Sequence, residues 1–286
     1  MPRSLLTNRL FALPWFLERH RRFPRRVSSP RSTLEDYVFW SMGGPWTPFQ
    51  ESCVDKEQAK QLASALSPNI GIARTAAVLK LTKQTTLEDV GRFLYPFLGK
   101  NFVAKPTHTS GGIVFLKGEI GTVVQQISGM FQFARESFFF KCYEAQYLRL
   151  PFKILVEESL GLVPPPDFRF YCARGKVLFC QYDSGRFGDH RQALFTVPDF
   201  KSIPIRDIYP LPEPLPEKPL HWEDLLKTAS ELSNPFDFVR VDLYDLPKGV
   251  FFSEFTFTPN ATAFPFSDAA FTRGVLEEVL KAQVSK

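Results

Sequence analysis

The sequence predicts an α+β fold, with amphipathic helices covering mainly antiparallel sheets. Three observations carry that expectation. Of the 286 residues, 44% are hydrophobic and 15% aromatic, with 30 Phe, enough apolar side chain for one large or two modest cores. Two stretches, "DFRFYCARGKVLFCQYD" and "FVRVDLYDLPKGVFFSEFTFTP", each read as a pair of β-rich runs. They turn at Arg174-Gly175 and at Leu246-Pro247-Lys248-Gly249. Between and around them lie segments with helical spacing and cap residues.

The chain opens with helix-like runs around 4–20 and 33–42. Within residues 1–32, Arg3, Arg9, Arg19, Arg21, Arg22, Arg25, Arg26 and Arg31 stand against a single acid, Glu18. A folded surface helix with a basic face is preferred over a transit peptide. The net charge of +5 leaves the rest of the chain close to neutral, which gives no reason to expect a nucleic-acid partner. No apolar run approaches the ~18 residues of a spanning helix, and the start lacks a secretory h-region. Cys53, Cys142, Cys172 and Cys180 form no CxxC pair, so free thiols in a reducing, cytoplasmic setting are expected.

Asp55 reads as an N-cap with Gln58 three residues on. Ala59, Leu62, Ala63 and Leu66 follow at helical spacing until "SPN". Thr86 caps the helix of "TTLEDVGRFL". "NFVAKP" and "GIVFLK" are short strands around the polar loop "THTSGG", and residues 120–149 read as helical. "KILVEESL" is a strand that runs into acids. "YPLPEPLPEKP", with five prolines, must be an extended surface loop, and "HWEDLLKTASELS" is amphipathic helix. A helix over 267–285 closes the chain. The expected division is a helical, basic region 1–54, a first subdomain 55–156 and a second 157–286.

The final hairpin carries the sharpest chemical signal. A turn centred on Lys248 pairs Tyr244 with Phe252, Asp242 with Glu254 and Arg240 with Thr256. Arg240, Asp242, Glu254 and Thr256 then share one face, with Val239, Val241, Leu243, Ser253, Phe255 and Phe257 on the other. Opposed carboxylates destabilise a sheet unless something neutralises them. A divalent hard cation does so; so does Arg240 in a structural network. Three weaker signals precede the hairpin. Lys105 ends a strand before a loop with Gly111-Gly112, suited to a phosphate or merely to a turn. Glu157, Glu158, Ser159 and Leu160, followed by a proline-stiffened link to Asp167, could line an adenine and hold a ribose, or form a solvated acidic strand end. "YDSGRFGDHRQ" sets Arg186, His190 and Arg191 near Asp183 and Asp189, as an anion clamp or a charged surface loop. His108 and His190 have no metal-ligand spacing with any Cys.

In order, "STLEDYVFW", "FVAKPTHTSGG", "YEAQYLRLPFKILVEESL", "DFRFYCARGKVLFCQYDSGRFGDHRQALF", "FDFVRVDLYD" and "FFSEFTFTPNA" resemble the ATP-grasp superfamily, and within it the TupA-like family of teichuronopeptide and capsular polysaccharide clusters. The resemblance implies two α+β subdomains clamping ATP between antiparallel sheets. It implies Lys105 on the phosphates and Thr109, Ser110, Gly111 and Gly112 as a lid. Glu157, Glu158, Ser159 and Leu160 would form the adenine hinge, with Asp167 on the ribose. Asp242, Glu254 and Thr256 would take Mg²⁺, with Arg240 on the transferred phosphate. The family pattern has Asn where this chain has Thr256. The implied reaction joins a carboxylate to an amine through an acylphosphate. Arg186 and Arg191 are candidates to hold an amino-acid, uronic-acid or glycan-linked substrate. A kinase on the same fold and a non-catalytic nucleotide-binding assembly protein are the alternatives.

Overall fold

The computed structural model describes residues 5–205, 208–262 and 266–284. The described strands form two antiparallel sheets. The smaller holds β1 (Thr75–Lys80), β2 (Phe102–Pro106), β3 (Val114–Phe115) and β4 (Lys153–Glu158), in the order β1-β4-β2-β3. The larger holds β5 (Asp167–Ala173), β6 (Lys176–Ser184), β7 (Arg191–Phe195), β8 (Ser202–Ile203), β9 (Val239–Leu246) and β10 (Gly249–Thr256), in the order β10-β9-β5-β6-β7-β8. The described helices are α1 (Leu5–His20), α2 (Leu34–Met42), α3 (Pro48–Val54), α4 (Lys56–Leu66), α5 (Leu87–Leu94), α6 (Ile120–Ala134), α7 (Phe139–Cys142), α8 (Trp222–Ser233) and α9 (Ala269–Val284). None of them is long and apolar enough to cross a membrane.

Each sheet buries a face because its strands alternate. In the smaller sheet Ala104, Val114, Ile154 and Val156 pack under Val90 and Leu94 of α5 and Val123, Ile127 and Met130 of α6. In the larger sheet one face is apolar along its length. Phe168, Phe170, Cys172, Val239, Val241 and Leu243 meet α8 through Trp222, Leu225, Ala229 and Leu232, and meet α4 through Ala59 and Ala63. The opposite face is divided. At one end Tyr171, Ala173 and Phe179 pack against α2 and α9; at the other, buried Asp167, Arg169, Asp183, Arg240 and Asp242 replace apolar side chains.

The expected elements are present with four corrections. The helix expected over 120–149 breaks into α6, the short α7 and a 3₁₀ turn at Ala145–Tyr147, because Tyr143 adopts a left-handed φ of 60° that ends α7. "GIVFLK" contributes only Val114–Phe115 to the sheet. β1, β7 and α3 carry no strong local signal and were not expected. The final hairpin turns on Pro247-Lys248, one residue shorter than a turn centred on Lys248, so Tyr244 faces Phe251 and Leu243 faces Phe252. A bulge at Ser253 then restores the expected pairs Asp242–Glu254 and Arg240–Thr256. Phe252 therefore enters the core in place of Ser253, whose hydroxyl donates to Tyr244 Oη at 3.1 Å.

α4 joins the two sheets. Asp55, fully buried, caps it by accepting from the backbone N–H groups of Glu57 and Gln58 at 3.1 Å each. The same carboxylate accepts from Thr107 Oγ1 at 2.8 Å, beside β2, and from Lys153 Nζ at 3.0 Å, on β4. Beyond α4 the chain lies along the hairpin, with Gly71 accepting from Phe252 N–H and donating to Val250 carbonyl. A Cβ at Gly71 would stand 2.6 Å from the Phe251 ring, so only glycine fits. Replacing Asp55 by Ala removes the cap and half of the charge around buried Lys153. Asp55→Ala is expected to lower unfolding stability by about 3 kcal/mol, and Asp55→Asn by less because it still caps. Urea denaturation checks this, and a loss for Asp55→Ala below about 0.5 kcal/mol would contradict the bridging role.

Candidate active site

Two cavities lie between the sheets, and Arg186 borders both. The first is a narrow slot of about 90 Å³. Val103, Ile113, Phe115, Leu160, Pro164 and Pro165 make its walls apolar, and Lys105, Glu157 and Asp167 stand along it. Phe115 of β3 meets Phe187 edge to face at 5.1 Å across the opening. The second cavity is larger, about 390 Å³. Lys56, Lys141, Arg169, Arg186 and Arg240 line it with Glu144 and Glu254, and Trp15 of α1 borders it.

The floor of the site is a layer of paired charge on the larger sheet. Arg240 grips Asp242 with two hydrogen bonds, Nε to Oδ1 and NH2 to Oδ2, both 2.7 Å. Its NH2 also donates to Thr256 Oγ1 at 3.1 Å and lies 3.6 Å from Glu254 Oε1. Arg169 reaches Asp183 at 3.2 Å and Asp242 at 3.5 Å. Burial raises the Asp242 carboxyl, while the bidentate Arg240 and nearby Arg169 favour its charged form. Glu254 is less enclosed. Burial opposes its charge, but Lys56, Arg240, Arg186 and Arg169 outweigh it and hold the carboxyl down at about 2.

The smaller sheet supplies the opposite wall. Lys105 Nζ lies 2.5 Å from Glu157 Oε1, and Lys60 of α4 pairs with the other oxygen. Against the cost of burial, these two lysines hold Glu157 below the usual carboxylate range. Lys56, at the first turn of α4, donates to the Thr109 carbonyl and so ties the helix to the loop after β2. That loop is glycine-dependent, with φ of 93° at Gly111 and 71° at Gly112. Thr109 is buried, Ser110 borders the second cavity and Ile113 the first, so the loop runs over their junction.

The expected site residues therefore fall into three groups. Lys105, Glu157, Glu158, Ser159, Leu160 and Asp167 line the slot. Within it Glu158 pairs outward with Arg74 at 2.6 Å, Ser159 Oγ donates to the Gly161 carbonyl, and Asp167 receives Arg186 NH1 on both oxygens at 2.8 and 3.0 Å. Arg240, Glu254, Thr256 and Arg186 converge on the second cavity. Arg191 joins neither: it lies in β7, its Nε bonds both oxygens of Asp189, and the anion clamp expected of Arg186 with Arg191 does not form. Gly185, with a φ of 63°, turns the chain just before them, and Arg186 lies on Asp167 and His190 on Asp183, the latter at 2.6 Å.

Several site residues were not anticipated. Arg169 is two residues from Asp167 on the same strand face, a spacing that could have revealed it. Lys56 and Lys60 are one helical turn apart, the signal of a shared face. Glu144 and Trp15 became visible only through the fold.

The slot combines apolar walls with Lys105, Glu157 and Asp167. The donors expected for magnesium fit poorly. Arg240 occupies both oxygens of Asp242 and the Thr256 hydroxyl, leaving Glu254 as the carboxylate turned toward the cavity. In this arrangement the three do not form a seat for a hard cation.

Solved structures that resemble the chain include VanG D-Ala:D-Ser ligase from Enterococcus faecalis, at 15% identity and a TM-score of 0.48, covering 82% of this chain and 64% of that one. D-Alanine-D-alanine ligase from Helicobacter pylori is similar at 16% identity and a TM-score of 0.48, covering 86% and 67%. The ATP-grasp ligase PsnB, complexed with a phosphomimetic variant of its minimal precursor, Mg and ADP, is similar at 14% identity and a TM-score of 0.41, covering 88% and 68%. The chain thus spans about two thirds of the length of the structures it matches. No curated protein matches it by sequence. Residues 51–280 match the model of the TupA-like ATP-grasp family, and the chain belongs to that family.

Proposed function

We propose that the protein is an ATP-dependent ligase that joins a carboxylate to an amine through an acylphosphate. The observation that carries this reading is that Arg186 borders both cavities: a slot with apolar walls and Lys105 along it, and a larger cavity lined by cations. Adenine occupies the slot, between Val103, Phe115 and Leu160. The phosphates extend past Lys105, under the loop of Thr109 to Gly112, toward Arg240 and Lys56. Backbone N–H groups and fixed cations there position the terminal phosphate and stabilise the charge that develops on it. The second cavity takes the substrate carboxylate, with Arg186 and Arg169 as its holders in place of Arg191. Its cationic wall suits amino acids, uronic acids or glycan-linked carboxylates, which supports a place in cell-envelope polysaccharide or peptide-conjugate synthesis.

Glu254 gathers the cations of the second cavity, so Glu254→Gln is expected to lower ATP turnover by about 10²-fold or more. Arg191→Ala, on the Asp189 side of β7, should stay within about twofold of wild type. The assay is release of ADP and phosphate from ATP and Mg²⁺ across a panel of amino acids and uronic acids. Turnover by Glu254→Gln equal to wild type would remove Glu254 from the site. A stable phosphate ester, instead of amine-dependent phosphate release, would make the protein a kinase.

Burial pushes the Lys56 ammonium down to about 8, against the pull of Glu254 and Asp55. Lys56 is charged below that pH and neutral above it, so its attraction for a polyanion is lost as pH rises through 8. Calorimetric affinity for a non-hydrolysable ATP analogue is expected to weaken several-fold between about pH 7 and about pH 9. Lys56→Arg, charged throughout, should flatten that slope; an equal slope in both proteins would assign the titration to another group.

A further inference from the structure

The second cavity has one acid that its cations do not claim. Glu144 lies between α7 and the 3₁₀ turn at Ala145–Tyr147, is 7% exposed, and borders the cavity together with Arg240 and Glu254. Its Oε1 accepts from Gln146 Nε2 at 3.2 Å and from Thr258 Oγ1. Thr258 Oγ1 itself accepts from Gln146 Nε2 at 2.6 Å, so its own proton is directed to Glu144. Both donors are neutral. Asp242, Asp167 and Glu157 each face a guanidinium or an ammonium, whereas the hydroxyl, amide and thiol that hold Glu144 are all neutral. A buried carboxylate without a direct cation is costly to keep ionised. Burial accordingly raises it to about 7, against hydrogen bonds from Cys142, Thr258 and Gln146 and the pull of Arg240. A carboxyl so placed can take up and release a proton near neutral pH.

We propose that Glu144 accepts the proton released when the amine substrate attacks the activated acyl carbon, which makes the Glu144 wall of the second cavity the amine subsite. The proposal rests on the ligase reading above. In the step, the nitrogen lone pair forms the C–N bond. The bond from the acyl carbon to the phosphate oxygen breaks, and its electron pair leaves with phosphate. One proton passes from nitrogen to the Glu144 carboxylate, giving a neutral amide. The Gln146–Thr258–Glu144 chain fixes the carboxylate in position.

The test separates activation of the carboxylate from use of the amine. Protein is incubated with ATP, Mg²⁺ and the panel of amino acids and uronic acids, once with hydroxylamine and once with amino acids or simple alkylamines as nucleophile. Hydroxylamine is unprotonated and strongly nucleophilic at neutral pH, so it traps an acylphosphate as hydroxamate without help from a base. Glu144→Gln is expected to lower the ratio of amide to hydroxamate by about 10²-fold. Glu144→Asp, which keeps a withdrawn carboxylate, should restore part of that ratio. An unchanged ratio in both variants overturns the proposal. Loss of both products in both variants assigns Glu144 to the fold and also overturns it. Wild-type hydroxamate with no amide from any amine shows that the cavity does not activate amines, with the same consequence. Wild type that forms neither product defeats the ligase reading itself, and the role of Glu144 with it.

Discussion

Arg169 stands in a central strand of the larger sheet with buried carboxylates around it: Asp183 on β6, Asp242 on β9 and Asp167 two residues before it on β5. Charges can be buried there only if every one has a partner. That condition reaches far beyond the site. A slip of one residue between β5 and β9 would send Asp242 and Arg240 together into the apolar layer beneath α8 and part Arg169 from Asp242. The alternation that fills the opposite face with Phe168, Phe170, Val241 and Leu243 imposes the same register. Core packing and charge pairing thus select one alignment of the strands, and the site inherits its geometry from that agreement.

The smaller sheet is tied to this layer by polar contacts more than by a shared core. α4 places Ala59 and Ala63 in the apolar core of the larger sheet and turns Lys56 and Lys60 toward Glu254, Thr109 and Glu157. Asp55 adds Thr107 and Lys153. The seam between the sheets therefore holds a cluster of unusual ionisation, with Lys56 pushed down, Glu254 held low and Glu157 kept charged by two lysines.

Local signals in the chain were read well. Asp55 and Thr86 cap the helices they were expected to cap, because capping depends on residues within one turn. The pairing of Asp242 with Glu254 was also legible, though through two errors that cancel. The turn is a residue shorter than expected, and the bulge that repays it has no marker in "FFSEF". Residues whose role comes from long-range assembly were harder to find. Lys56 and Lys60 look like an ordinary solvated helix face until β4 lies against it. Glu144 was concealed inside a segment read as continuous helix. Arg186 and Arg191 are close in sequence, but strand β7 starts between their environments and sends them to different partners. Sequence proximity was a poor guide to spatial proximity wherever a turn intervened.

The bulge at Ser253 divides the last hairpin into two registers. Near the tip, Leu243 and Tyr244 pair with Phe252 and Phe251; beyond Ser253 the count is reset and Asp242 meets Glu254. What the sheet specifies is the total number of residues between the two carboxylates, while the position of the odd one is open. A one-residue lengthening of the turn together with removal of the bulge would preserve the charged face while exchanging which of Phe252 and Ser253 enters the core. A residue gained in the turn and lost from the bulge, or the reverse, leaves Glu254 opposite Asp242, whereas a net change in length does not.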